Sequence, residues 1–285
     1  MLFQQIINGL VAGSVYALVA LGYTMIFGIL GIVNFAQGEI YMFGAFGAIL
    51  TLNATGSLAL AIPAGILSAC IVGLLLERFA FRPLRGMHPL IPLISAIGAS
   101  IFLSSLARLM FGPEDRSFPI DFGFEGFNLF SAYITWLQLV IMAVSIIMMI
   151  LLWLFMNMSR HGKAVRAVAM DSDAARLSGI NVNRAYVIVF LLGSALSGVA
   201  GILMAIYYNS TSPGMGTLPG LKAFSAAILG GVGSIPGAII GGLVLGIAEN
   251  LGAAYISSNF KDAFAFIVLV LVLVIRPRGI LGSGR

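Results

Sequence analysis

Residues 28–39 read GILGIVNFAQGE, with apolar runs on both sides and two amides and a carboxylate (Asn34, Gln37, Glu39) within six positions. In water such a stretch is an ordinary loop, whereas in hydrocarbon it is a costly interruption. Composition decides between the two. The 285-residue chain is 60% hydrophobic and 9% charged, with a mean hydropathy of +1.08. Soluble domains carry about 25% charged residues because their surfaces face water. The chain is therefore an integral membrane protein, and GILGIVNFAQGE interrupts its membrane-embedded segments.

A helix crosses the roughly 30 Å hydrocarbon layer in about 20 residues. Runs 58–76, 90–107, 132–156 and 185–208 have that length, and 263–275 reaches it by borrowing the preceding AAYI. Runs 6–30, 38–52, 221–231 and 236–250 are irregular. The expected fold is an all-α polytopic membrane protein of eight to ten transmembrane segments, including broken or half helices, with a two-fold pseudo-repeat. The whole chain, 1–285, is read as one transmembrane domain. The opening MLFQQ lacks a basic region and a small-residue cleavage site, so the first segment is expected to be a retained anchor.

Cytoplasmic loops collect Lys and Arg. Loop 77–89 holds Arg78, Arg82 and Arg85, loop 157–184 holds Arg160, Lys163, Arg166, Arg176 and Arg184, and the tail holds Arg276, Arg278 and Arg285. Loop 108–130 instead carries Glu114, Asp115, Asp121 and Glu125 against Arg108 and Arg116. The basic regions are assigned to the cytoplasm and the acidic loop to the outside. This bias also accounts for the net charge of +5 without a nucleic-acid partner. Two crossings before Asn53 would put the N-terminus outside, and a further break near Gly22 would put it inside.

The second-half counterpart of the opening stretch is GGVGSIPG, residues 230–237, which separates 221–231 from 236–250. Paired Gly/Pro-interrupted segments in two halves mark a transporter's substrate path. Freed backbone groups are tolerated only inside protein or beside water. Half-helix N-termini there favour carboxylates and C-termini favour ammonium groups, both of which a zwitterion presents. The candidate path residues are Asn34, Gln37, Glu39, Gly233 and Ser234. Single glycines such as Gly241 and Gly242 read as packing positions. Lys222 and Glu249 sit either inside the bundle or at the interface.

The sequence has no G-x-x-x-x-G-K-[ST], so no P-loop for ATP is expected. His88, His161 and the lone Cys70 do not form metal-ligand spacing, and an intramembrane acid relay is missing. No enzyme activity, cofactor or metal is expected. Within loop 157–184, DSDAARLSG reads as a short helix capped by Asp171 or Ser172 and stopped at Gly179. A helix this short is marginal alone. Ala174, Ala175 and Leu177 give it a small apolar face suited to docking.

Several blocks carry a family resemblance: NGLVAGSVYALVALGYTMIFGILGIVNFAQGEIYMFGAF, ERFAFRPLR, LISAIGASIFL, RAVAMDSDAARLSGIN, LKAFSAAILGGVGSIPGAIIGGLVLGIAEN and RPRGILG. In order and over nearly the whole chain, they resemble the permeases of branched-chain amino acid ABC transporters, LivH type. The resemblance implies the permease subunit of an ATP-driven importer in a bacterial inner membrane. Its partners would be a second related permease, two cytoplasmic ATPase subunits and an extracytoplasmic substrate-binding protein. Residues 166–181 are similar to the family's coupling segment, which makes Asp171, Ala174, Ala175, Leu177 and Gly179 the ATPase-coupling residues. The substrate class implied is branched-chain or other neutral amino acids. Urea and amides are the alternative within the family, and an ion-coupled secondary transporter is the alternative outside it.

If Asn34 lines the path, Asn34→Leu slows passage more than Leu30→Ile does. Equal substrate uptake rates in the two variants would remove Asn34 from the path.

Overall fold

The computed structural model describes residues 2–118, 125–129, 132–276 and 279–282. Asp121, Arg278 and Arg285, used above for orientation, lie outside them. In chain order the helices are α1 (Leu2–Leu30), α2 (Gln37–Thr55), α3 (Leu58–Leu75), α4 (Leu90–Phe111), α5 (Trp136–Met158), α6 (Arg160–Met170), α7 (Ser172–Leu177), α8 (Val182–Tyr208), α9 (Thr217–Gly230), α10 (Ile235–Tyr255) and α11 (Lys261–Ile275). A short antiparallel hairpin, β1 (Gly126–Leu129) with β2 (Ala132–Thr135), precedes α5. Among the described residues, seven helical segments are long and apolar enough to cross a membrane. They are α1, α3 with its extension, α4, α5, α8, α10, and α11 with the turn before it.

α1 and α8 form the centre, with 89% and 72% of their apolar windows buried, whereas the corresponding value for α11 is 6%. A helix apolar on all sides sits in a core or faces lipid, and burial separates the two cases here. Close approach at the centre depends on small residues. On α1, Gly9, Gly13 and Ala17 recur every fourth position and meet Gly242 and Gly246 of α10; a Cβ on Gly13 would lie 2.9 Å from Leu243 Cα and one on Gly242 2.6 Å from Ala17 Cα. Helices in lipid associate through such packing because hydrocarbon gives them no hydrophobic drive. Gly241 turns to α9, where an added Cβ would meet Ala226 O. On the outer side, Gly44 of α2 faces Gly198 of α8, with 2.6 Å from a Cβ to Gly198 Cα.

Several boundaries differ from the sequence reading. α1 runs unbroken through Gly22. Its N-terminus lies beside the hairpin, where Gln4 Nε2 donates to Tyr133 O at 3.0 Å and Gln138 Nε2 to Asn8 Oδ1 at 3.1 Å. The chain therefore begins α1 at the acidic end, the end of Glu114, Asp115 and Glu125. Run 132–156 does not open as a helix. Thr135 and Gln138 form a capping box that starts α5 at Trp136, which leaves Ala132–Thr135 to pair as a strand. AAYI ends α10 instead of lengthening α11, which gains its span from the 3₁₀ turn Ser258–Phe260. Loop 77–89 is in large part an extension of α3, through a π turn Leu76–Phe81 and a 3₁₀ turn Arg82–Leu84. There Glu77 pairs with Arg85, which also donates to Asn183 Oδ1 at 2.6 Å.

At the opposite, basic end, the chain after α11 returns to α9. Ile280 N donates to Leu229 O at 2.8 Å and Leu281 N to Gly230 O at 3.0 Å, satisfying carbonyls that the end of α9 leaves free.

Gly246→Val is expected to destabilise the bundle by about 1–3 kcal/mol through overpacking against α1. Gly98→Ala, inside α4 where an added Cβ meets nothing within 4 Å, should not lower stability and should raise it by up to about 1 kcal/mol. Thermal unfolding of the two variants in detergent checks the difference.

Candidate functional site: a helix break at the centre of the bundle

α1 ends at Leu30 beside α5 and α6, since Gly28, Ile29, Asn157 and Arg166 border one cavity of about 420 Å³ at the basic end. α2, however, begins deep in the bundle: a Cβ on Gly22 would lie 2.5 Å from Gln37 Nε2. Gly22 is eight residues before Leu30, or about 12 Å back along the axis. Residues 31–36, a bend at a left-handed Gly31 followed by a turn at Phe35–Ala36, cover that return, which lies within the roughly 20 Å that six residues can reach. α2 is thus a re-entrant helix whose N-terminus lies inside the protein.

Three side chains of the opening stretch take different positions. Gln37 is fully buried; its Nε2 donates to Gly193 O at 3.0 Å and Ser197 Oγ at 2.7 Å, both on α8. Asn34 is also fully buried, donating to Gln37 Oε1 at 3.1 Å while its Oδ1 accepts from Ala36 N at 3.1 Å. These two amides hold the break together and join it to α8. Glu39 points elsewhere: its Oε1 accepts from Ser100 Oγ of α4 at 3.2 Å, and Oε2 has no hydrogen-bond partner among the described residues. Glu39 borders a cavity of about 160 Å³ between α1, α2, α4 and α9.

The helix facing α2 across that cavity is α9. It also begins inside the bundle, because Gly216 O sits where a Cβ on Gly38 would be, and Gly38 O where one on Gly216 would be. The segment before it, 209–216, descends from the acidic end, where Arg116 and Thr211 exchange backbone hydrogen bonds of 2.9 and 2.8 Å. Two helix N-termini therefore meet at the centre. The sequence reading missed Gly216; its signal was SPGMG, a Gly/Pro cluster with no apolar periodicity to draw notice. GGVGSIPG lies at the basic end instead. There Gly233 (φ +88°) and Ser234 border the 420 Å³ cavity, and Ser234 Oγ caps α10 by accepting from Gly237 N at 3.1 Å.

Lys222 and Glu249 are inside the bundle. Lys222 Nζ lies 2.8 Å from Glu249 Oε1 and 2.5 Å from Asp262 Oδ1, and Lys261 Nζ lies 3.6 Å from Glu249 Oε1. Two cations and two carboxylates balance in one cluster joining α9, α10 and α11. An unbalanced charge at this depth would cost several kcal/mol.

In the basic loop, α6 was not foreseen; Ser159 Oγ caps it by accepting from Gly162 N at 2.8 Å. Asp171 caps α7, its Oδ1 accepting from Asp173 N at 2.8 Å and Ala174 N at 3.0 Å. Gly179 takes the left-handed conformation, φ +79°, just past the end of α7. Ala175 is buried, whereas Ala174 faces out and Leu177 is 90% exposed.

A family model for the permease component of the branched-chain amino acid transport system matches residues 5–273. The chain belongs to that family. The permease is 44% identical to the high-affinity branched-chain amino acid transport system permease protein BraD of Pseudomonas aeruginosa, covering 98% of this chain and 95% of that one. It is 45% identical to LivH of Escherichia coli K12, with the same coverage. The ribose import permease protein RbsC of E. coli K12 is 27% identical, over 95% of the permease and 85% of its own length. Among solved structures, PsaBC from Streptococcus pneumoniae in complex with Fab shares the fold, with a TM-score of 0.51, 14% identity and coverage of 95% and 91%.

Lys222→Met leaves Glu249 and Asp262 without their nearest cation and should cost about 3–5 kcal/mol. Adding Glu249→Leu should recover part of that loss, because paired charges couple. Folded yield in detergent for the single and double variants reads the coupling; strictly additive losses would rule it out.

Proposed function

We propose that the permease is the membrane-spanning subunit of an ATP-driven importer for branched-chain or other neutral amino acids. The observation that carries this reading is the 44–45% identity, along nearly the whole chain, to permeases named for branched-chain amino acid transport. The proposal includes a second related permease beside it, two ATPase subunits on the basic face, a substrate-binding protein on the acidic face, and residence in a bacterial inner membrane. The proposal counts α2 and α9 as shorter embedded segments beside the seven long helices, for a total of eight to ten transmembrane segments. A two-fold pseudo-repeat would place one interrupted pair, α1–α2, in the first half and another, α9–α10, in the second. One transmembrane domain, 1–285, would carry the coupling segment 157–184.

In this reading Asn34 and Gln37 keep the break rigid, Glu39 lines the path, and Gly233 and Ser234 line its cytoplasmic mouth. Asp171 and Gly179 define the two ends of α7, Ala175 fixes it to the permease, and Ala174 and Leu177 present the face that an ATPase groove would accept. Closure of the ATPase pair would push α7 and, through α6, the ends of α1 and α5 at the cytoplasmic cavity. The permease would supply passage and coupling, with ATP hydrolysis left to its partners.

Reconstitution with candidate ATPase, second-permease and substrate-binding subunits tests the proposal: leucine uptake into proteoliposomes should require ATP and every subunit. Gly179→Trp should lower that uptake at least about tenfold, since a left-handed φ costs an L-residue about 1–2 kcal/mol and misplaces the docking face. Failure of wild-type permease to associate with the ATPases rejects the importer reading. Normal ATP-dependent uptake by Gly179→Trp rejects the coupling role.

A further inference from the structure

Among the described residues, three carboxylates are buried in or beside the bundle: Glu39, Glu77 and Glu249. Glu77 has Arg85, and Glu249 has Lys222 and Lys261. Glu39, 2% exposed, has no cation within ion-pair distance among the described residues, and one of its oxygens has no hydrogen-bond partner. Arg108, two turns farther along α4, reaches it only through its field. A carboxylate at this depth normally faces a counter-charge or a functional cavity, and Glu39 borders the 160 Å³ cavity. The remaining wall is largely apolar, with Phe35, Ile97, Ile101 and Leu221, and Tyr23 also borders it. α2 and α9 both begin at this cavity; Glu39 itself occupies the first turn of α2, which leaves the N-terminal partial charge of α9 to suit a ligand anion.

We infer that Glu39 is the counter-charge for the ammonium group of the transported amino acid. The aliphatic side chain of the amino acid would lie against the α4 wall and its carboxylate toward the start of α9. This deepens the importer reading and rests on it. It also assigns different work to three adjacent polar residues: Asn34 and Gln37 hold the break, and Glu39 selects charge. Shape alone would admit a fatty acid of leucine's outline, whereas a buried unpaired carboxylate repels it. A small inorganic cation offers the same positive charge, so the test separates the two sources.

Thr217 borders the same cavity and is exposed, so Thr217→Cys in a Cys70→Ala background provides a reporter in the purified permease. Aminoethyl methanethiosulfonate should modify it faster than the sulfonatoethyl reagent, and Glu39→Gln should reduce that preference about tenfold, as charged clefts concentrate counter-ions. Glu39→Asp should retain the preference. With Glu39 intact, leucine and 3-methylbutylamine should slow modification and 4-methylpentanoate should not, so the result stands even if Glu39→Gln fails to fold. A preference unchanged in Glu39→Gln, equal protection by 4-methylpentanoate, or protection by sodium over choline at equal ionic strength would overturn the inference. Because this assay needs no ATPase, its failure is distinct from a failure of ATP-dependent uptake.

Discussion

Hydrocarbon offers no partner to a free backbone N–H or C=O, and a helix that stops midway through a membrane bundle must find every partner within the protein. The α1–α2 connection meets this demand with two amides. Gln37 reaches α8, Asn34 fills Gln37's remaining acceptor, and Asn34 Oδ1 takes the N–H of Ala36. Without that set, α2 could not begin at the level of Gly22, and the facing start of α9 would have nothing to abut. The cavity between them follows from the same constraint, since two helices that begin at one level leave a space where neither continues.

Small residues extend the constraint outward. Backbone meets backbone at Gly38 and Gly216, at Gly44 and Gly198, and at Gly13 and Gly246. The three contacts lie on successive helix pairs around α1 and α8, so the break is held by a frame with little room to repack. The charged cluster at Lys222 and Glu249 adds directional ties between α9, α10 and α11. It balances internally, and this sets Glu39 apart, among the described residues, as a buried carboxylate with no ion-pair partner.

Much of this was legible in the sequence because polar residues in apolar runs have few explanations. GILGIVNFAQGE announced a break, and the break runs from Gly31 to Ala36. DSDAARLSG announced a capped helix, and Asp171 caps it. Other features were hidden for physical reasons. Gly216 lies in a cluster whose meaning depends on what packs against it, and pairing between distant segments leaves no local period. The hairpin before α5 was concealed because Ala132–Thr135 is apolar enough to pass as the first turn of the helix that follows. Ser159 is a readable cap, but the basic residues after it read equally as a loop that sets membrane topology. Asn34, Gln37 and Glu39 looked equivalent as candidates; only their partners separate two that bind the fold together from one that faces space.

The return of residues 279–282 to α9 bears on how the protein is made. The carbonyls of Leu229 and Gly230 receive their partners from Ile280 and Leu281, which leave the ribosome some fifty residues after α9 does. Until then the basic end of α9 remains unsealed, so insertion can place α9 and α10 in the bilayer well before their ends are fixed. The end of α9 is therefore fixed by a segment synthesised well after the helix itself, so sealing of the basic end is a later step than insertion of α9.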